Sequence, residues 1–174
     1  MTERTVGSVD SAAGGQTESA KTLPRATLVR DLDQIARTAS VMVDGDLCQR
    51  IVDGYTLREP EFTQVKKTLI RLSRLISHPC DVNLWMPVEG APGQIQIVIR
   101  NENELSQFWV FGARSQPMIP QMSEVLKTGQ RVTVEKRSEM VSVLAPVNNS
   151  LGDVVGLVEV VSKESFPCRC APGD

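Results

Sequence analysis

Cys168 and Cys170, separated by one arginine, are the closest-set pair of metal- or redox-capable side chains in this sequence. With Cys48 and Cys80 they make four cysteines, against a single histidine, His78. A structural zinc site takes four ligands, usually in recognisable pairs, and this set does not supply them. Cys168 and Cys170 therefore read as two exposed tail thiols, with a thiol redox or metal sensor as the chemical alternative. Met1–Asp10 lacks a basic stretch followed by an apolar core, so it does not read as a secretion signal and free thiols are expected. His78 precedes Pro79 at the end of an apolar-periodic stretch, where helix capping or a surface contact fits it better than catalysis. Asp31 with Asp33, and Glu59 with Glu61, are the paired carboxylates. Glu59 and Glu61 fall where a helix begins, and the helix dipole accounts for them. Neither a G-x-x-x-x-G-K nor a G-x-G-x-x-G phosphate loop occurs, and no serine sits in a G-x-S-x-G elbow. The chain reads as a non-enzyme, and no cofactor is named by it.

Composition narrows the partners. The 174 residues are 41% hydrophobic and 23% charged, with a formal net charge of -2, which suits one ordinary domain. That balance gives no reason to expect nucleic acid or an anionic membrane surface. Aromatic residues are scarce, so stacking platforms for single strands are not expected. No apolar run approaches the roughly 20 residues that span a bilayer. The simplest address is the cytoplasm, or a fragment cut from a longer protein.

The elements that must position any site follow from periodicity. Residues 1–24 are polar and small and read as a disordered N-terminal segment. From Arg25 to Val43, Leu28, Leu32, Ile35, Ala39 and Met42 recur at heptad spacing. Such a seam makes either a dimerising helix or a helix laid on its own sheet. A short helix is expected over Asp46–Val52. A longer one starts near Pro60 and runs to about Ser77, with Phe62, Val65, Leu69, Leu72, Leu75 and Ile76 inward. The period then changes to two. Asp81–Met86 reads as a strand with Val82, Leu84 and Met86 on one face and Asn83 and Trp85 on the other. Gln94–Arg100 reads as the next, with Ile95, Ile97 and Ile99 together. Phe108–Gly112 suggests a short aromatic strand. Ile119, Met122, Val125 and Leu126 suit a short helix ending at Gly129. Three strands close the chain, over Gln130–Arg137, Glu139–Asn148 and Asn149–Val161. Helices first and sequential strands after predict an α+β domain over residues 25–164, an antiparallel sheet of about five strands with long N-terminal helices on one face. Residues 165–174 read as a flexible tail.

This layout resembles PAS-like sensor domains. Tyr55 to Ile76 resembles the segment of single Cache domains in which a proline followed by an aromatic residue starts a long helix. Ala145-Pro146-Val147, a polar turn with Gly152, and Val154-Val-Gly-Leu-Val resemble the closing hairpin of the same family. GAF domains share a very similar ending and stand as the close alternative. The resemblance covers residues 28–162 and implies a sensory or signalling domain, in the setting of bacterial signal transduction. Such a domain is expected to bind a small molecule, relay to a separate signalling protein and form a homodimer. The alternatives are a pocketless interaction or dimerisation module, and the Cys168–Cys170 redox or metal sensor.

In a PAS-like domain the ligand lies between the sheet and the segment that crosses it, in an apolar pocket with a few polar anchors. Trp85, Trp109 and Phe111 are the candidate walls. Arg114 is the candidate partner for a carboxylate, by bidentate hydrogen bonding. Arg131 and Ser142 are the candidates on the closing strands.

Overall fold

The computed structural model describes residues 21–53, 59–135 and 139–166. Cys168, Cys170 and most of the expected N-terminal segment lie outside them. Three helices come first: α1 (Arg25–Met42), α2 (Gly45–Val52) and α3 (Glu59–Ser73). Two strands follow, β2 (Cys80–Pro87) and β3 (Gln94–Ile99), then the two-residue β4 (Gln116–Pro117) and α4 (Pro120–Thr128). The strands β5 (Val132–Val134), β6 (Met140–Asn148) and β7 (Val154–Lys163) close the sheet. Outside it, β1 (Lys21–Thr22) pairs antiparallel with β8 (Ser165–Phe166), reaching past both domain edges expected from the sequence.

The main sheet is antiparallel and has six strands rather than about five, in the order β4-β3-β2-β7-β6-β5. The sixth is β4, too short to show a period in the sequence. The first and last long strands, β2 and β7, lie side by side in the centre.

Alternation along these strands sends two sets of side chains to two faces. Val82, Leu84, Met86, Val141, Val143, Ala145, Val158 and Val160 pack under the helices. Leu28, Leu32, Ile35 and Ala39 of α1 are buried in the same core, with α1 lying across β6 and β7. The heptad seam is thus used within the chain, and only Met42 of its five residues is exposed. On the opposite face Trp85, Leu144 and Leu157 meet Phe108, Met122 and Val125, which come from the segment between β3 and β5. We call that segment, residues 100–131, the insert.

Three expectations are corrected. Ile99 does not share a face with Ile95 and Ile97. A β-bulge between Leu84 and Trp85 sets Ile99 opposite Leu84 and Ile97 opposite Trp85, which turns Ile99 to the helical side. Phe108–Gly112 is not a strand. The amides of Phe108 and Trp109 both donate to the Ser106 hydroxyl oxygen, and Ala113 N donates to Val110 O, so the segment turns. The long helix α3 ends at Ser73 instead of near Ser77. The Ser73 carbonyl accepts from the Cys80 thiol at 3.2 Å, and the next amides close tighter turns onto Arg71 and Leu72.

Candidate functional site

The insert face of the sheet carries a cluster of buried polar groups near its centre. Asp81 and Asn83 alternate with Val82 and Leu84 on β2, and Glu159 lies between Val158 and Val160 on β7. Parity dictates that they point away from the helices. Asn83 stands directly opposite Glu159, and Asp81 opposite Val161. Asp81, Asn83 and Glu159 are all fully buried.

Buried polar groups must be paired, and here the insert supplies the partners. Asp81 accepts from the amides of Asn103, at 3.2 Å, and Leu105, at 2.7 Å, and from Asn103 Nδ2 at 2.8 Å. Asn83 Nδ2 donates to Leu105 O at 2.7 Å, and Asn83 Oδ1 accepts from Asn101 N at 3.1 Å. Gln107 Nε2 donates to Val134 O and to Ser142 Oγ, both at 2.9 Å. Residues 101–107 are thereby laced along β2, β7, β6 and β5.

Glu159 is the hub. Its Oε1 accepts from Gln107 N at 2.9 Å and Ser142 Oγ at 3.0 Å. Its Oε2 accepts from Ser106 Oγ at 2.6 Å, Trp85 Nε1 at 3.2 Å and, more weakly, Asn83 Nδ2 at 3.5 Å. All five are neutral donors. Burial pushes the carboxyl above the usual carboxylate range, while the bonds from Ser106, Gln107, Ser142 and Trp85 pull against that rise. Ser142 and Trp85 reach Glu159 diagonally, since Ser142 pairs with Val161 and Trp85 with Leu157, each two residues away on β7.

Two of the six candidate ligand residues therefore meet at one point. Trp85, 1% exposed, and Ser142, 0% exposed, both donate to Glu159. The other four lie elsewhere. Trp109 stacks edge-on with Phe111 at 5.7 Å and takes the Arg100 guanidinium over its ring at 3.9 Å. Phe111 is 88% exposed and Arg114 is exposed. Arg131 reaches the helical layer, where its Nε donates to Asp33 at 3.0 Å. Burial pushes Asp33 up, but the hydrogen bonds and charges of Arg37 and Arg131 together hold it below its ordinary value.

Glu159, Gln107, Ser106 and Asp81 are not among the candidates that the sequence offers. A lone charged residue inside the Val-rich run 154–161, on the same parity as Leu157 and Val161, was the available signal for Glu159. Ser106 and Gln107 have no such mark.

Cys48 and Cys80 are buried, and both thiols are pushed up to about 12, by burial first and then by Asp44 and Asp81 respectively. Thiolate chemistry near neutral pH is closed to them. Among the described residues no group of three His, Cys, Asp or Glu side chains gathers as a metal site, and no helix is long and apolar enough to cross a membrane. An open groove of about 600 Å³ lies at the end of α2, lined by Gln49, Val52, Asp53, Met86, Gln96 and Val155 among others. None of the six candidate residues lines it.

Comparison with known proteins gives a sparse result. No protein-family model and no curated protein matches the chain. Among solved structures it is similar to the crystal structure of the GAF domain of A. aeolicus NLH2 in an inactive state. The TM-score is 0.40 and the identity 11%, over 78% of this chain and 82% of that one.

Proposed function

We propose that this chain is a non-catalytic, PAS-like signalling module that acts through protein contacts, with the space between its sheet and its insert closed by its own side chains. The order of helices, two strands, an insert and three closing strands supports the PAS-like reading, of GAF or Cache type. The observation that carries the rest is the saturation of Glu159. Both its oxygens are taken by donors from β2, β6 and the insert. Around it Trp85, Phe108, Met122, Val125, Leu144 and Leu157 are buried and pack against one another. A small carboxylate anchored by Arg114 is disfavoured, because Arg114 is exposed and takes no part in the Glu159 network. The partner in this reading is a separate signalling protein, and the address is cytoplasmic. A homodimer would use a surface other than the buried α1 seam.

Thermal-shift titration of the wild-type protein with carboxylates, amino acids and nucleotides tests this. The module reading expects no saturable rise in Tm with any of them. A saturable rise with one compound overturns it in favour of a small-molecule sensor.

A further inference from the structure

Glu159 sits in a site made wholly of donors, and most of those donors are unable to reverse. Trp85 Nε1–H and the Gln107 amide carry a proton and no lone pair, and they address opposite oxygens. The Ser106 oxygen takes the amides of Phe108 and Trp109, which leaves its proton for Oε2. The Ser142 oxygen takes Gln107 Nε2–H, which leaves its proton for Oε1. Two firm donors therefore meet each oxygen, a pattern that matches a carboxylate. An amide in the same place would set its NH2 against either the Gln107 amide or the Trp85 indole.

Several of the donors have anchors besides Glu159. Gln107 is fixed by Val134 O and Ser142, and Asn83 by Leu105 O and Asn101 N. Asp81 clamps Asn103 and Leu105 independently. Trp85 lies in a buried apolar cluster with Ile95 and Leu157.

We propose that the space between sheet and insert is a preformed carboxylate-receiving site, specific for short aliphatic monocarboxylates, which this chain fills from within with Glu159 as an intramolecular ligand. This rests on the reading of a self-closed module and deepens it. The occupant of the site is in this reading covalently part of β7.

The test uses chemical rescue. Glu159→Ala removes Cγ, Cδ and both carboxylate oxygens, the heavy atoms of acetate. Melting of the full chain is followed at neutral pH in sodium acetate, in sodium chloride of equal ionic strength, and in chloride with acetamide. The proposal expects acetate alone to raise the Tm of Glu159→Ala, saturably, and to leave wild type unchanged relative to chloride. Adding Ser142→Ala should abolish the rise. Glu159→Gly, which also lacks Cβ, should prefer propionate to acetate. If Glu159→Ala is unfolded in chloride, recovery of folded protein on refolding into acetate and not into acetamide is the equivalent result. Equal melting in all three solutions, an equal rise in wild type, or no folded protein in any of them overturns the proposal. None of these failures bears on the wild-type ligand screen, which tests the module reading separately.

Discussion

The Ser106 hydroxyl donates to Glu159 Oε2 at 2.6 Å while its oxygen receives the amides of Phe108 and Trp109, each at 3.1 Å. One side chain thus joins the turn of the insert to the centre of the sheet. A buried polar group that loses its hydrogen-bond partner costs about 1–3 kcal/mol. Ser106→Ala should destabilise the protein by roughly 1–3 kcal/mol in urea unfolding. Hydrogen exchange should show the amides of residues 107–109 losing protection first. Unchanged protection there, with stability equal to wild type, would show that the bond does not hold the insert.

Glu159→Gln tests the donor pattern without changing shape. Either orientation of the new amide opposes one fixed N–H, from Gln107 or from Trp85. A buried donor left unsatisfied costs about 1–3 kcal/mol, and the variant should lose about that much. A variant as stable as wild type at neutral pH would mean that the site accepts a neutral amide equally well.

Glu159 also predicts a pH dependence. Burial raises its folded-state pKa above the ordinary value of 4.5, so ionisation costs the fold. The group's contribution is then fully present below about pH 4.5 and is lost as pH rises through the folded value. Alanine cannot titrate. The stability gap between wild type and Glu159→Ala should be widest at the acid end and narrow as pH rises. Asp33 acts in the opposite sense, its pKa being lowered by Arg37 and Arg131, but it is common to both proteins and cancels from the difference. A gap that widens with rising pH would contradict the assigned direction.

Leu32 decides what the α1 seam does. It is fully buried among the sheet residues of its own chain. Leu32→Ala should cost about 2–5 kcal/mol through the cavity it leaves, without altering the mass in light scattering. A variant that turns a dimer into a folded monomer would place the seam at an interface instead.

Gly45 is a matter of space. A Cβ at this first residue of α2 would lie 2.4 Å from Asn148 O on β6, a contact with backbone that has little freedom to move. Helix propensity alone favours alanine over glycine by roughly 1 kcal/mol. Gly45→Ala should nevertheless lower stability in urea unfolding, and a gain would show that α2 and the end of β6 are not in close contact.

Much of the scaffold was legible because it depends on local period. Leu28 to Ala39 gave α1, and Val82, Leu84 and Met86 against Asn83 and Trp85 gave the two faces of β2, as observed. The α+β class follows from the same alternation. What periodicity cannot show is where pairing departs from it. The bulge at Leu84/Trp85 that turns Ile99 is a property of two strands together. At the early end of α3 the Ser73 carbonyl is met by the Cys80 thiol, seven residues away. The site was the least legible part. Glu159 gathers donors from positions between 17 and 76 residues distant, and only the folded sheet brings them together. Strand parity puts Trp85 on the insert side, whereas Ser142 is marked in the sequence only by lying on a closing strand. Trp109, Phe111 and Arg114 are candidates by residue type and by their place in the segment that crosses the sheet, yet the segment turns there and Phe111 and Arg114 are exposed.

The most direct measurement is hydrogen exchange of the two tryptophan indole N–H groups, Trp85 and Trp109, by NMR in the wild-type protein. The Trp85 signal, assigned by Trp85→Phe, should exchange slowly, lose protection in Glu159→Gln, and keep its shift and protection when acetate, amino acids or nucleotides are added. Rapid exchange of Trp85 in wild type, or its displacement by an added compound, would contradict a sheet–insert space closed by Glu159.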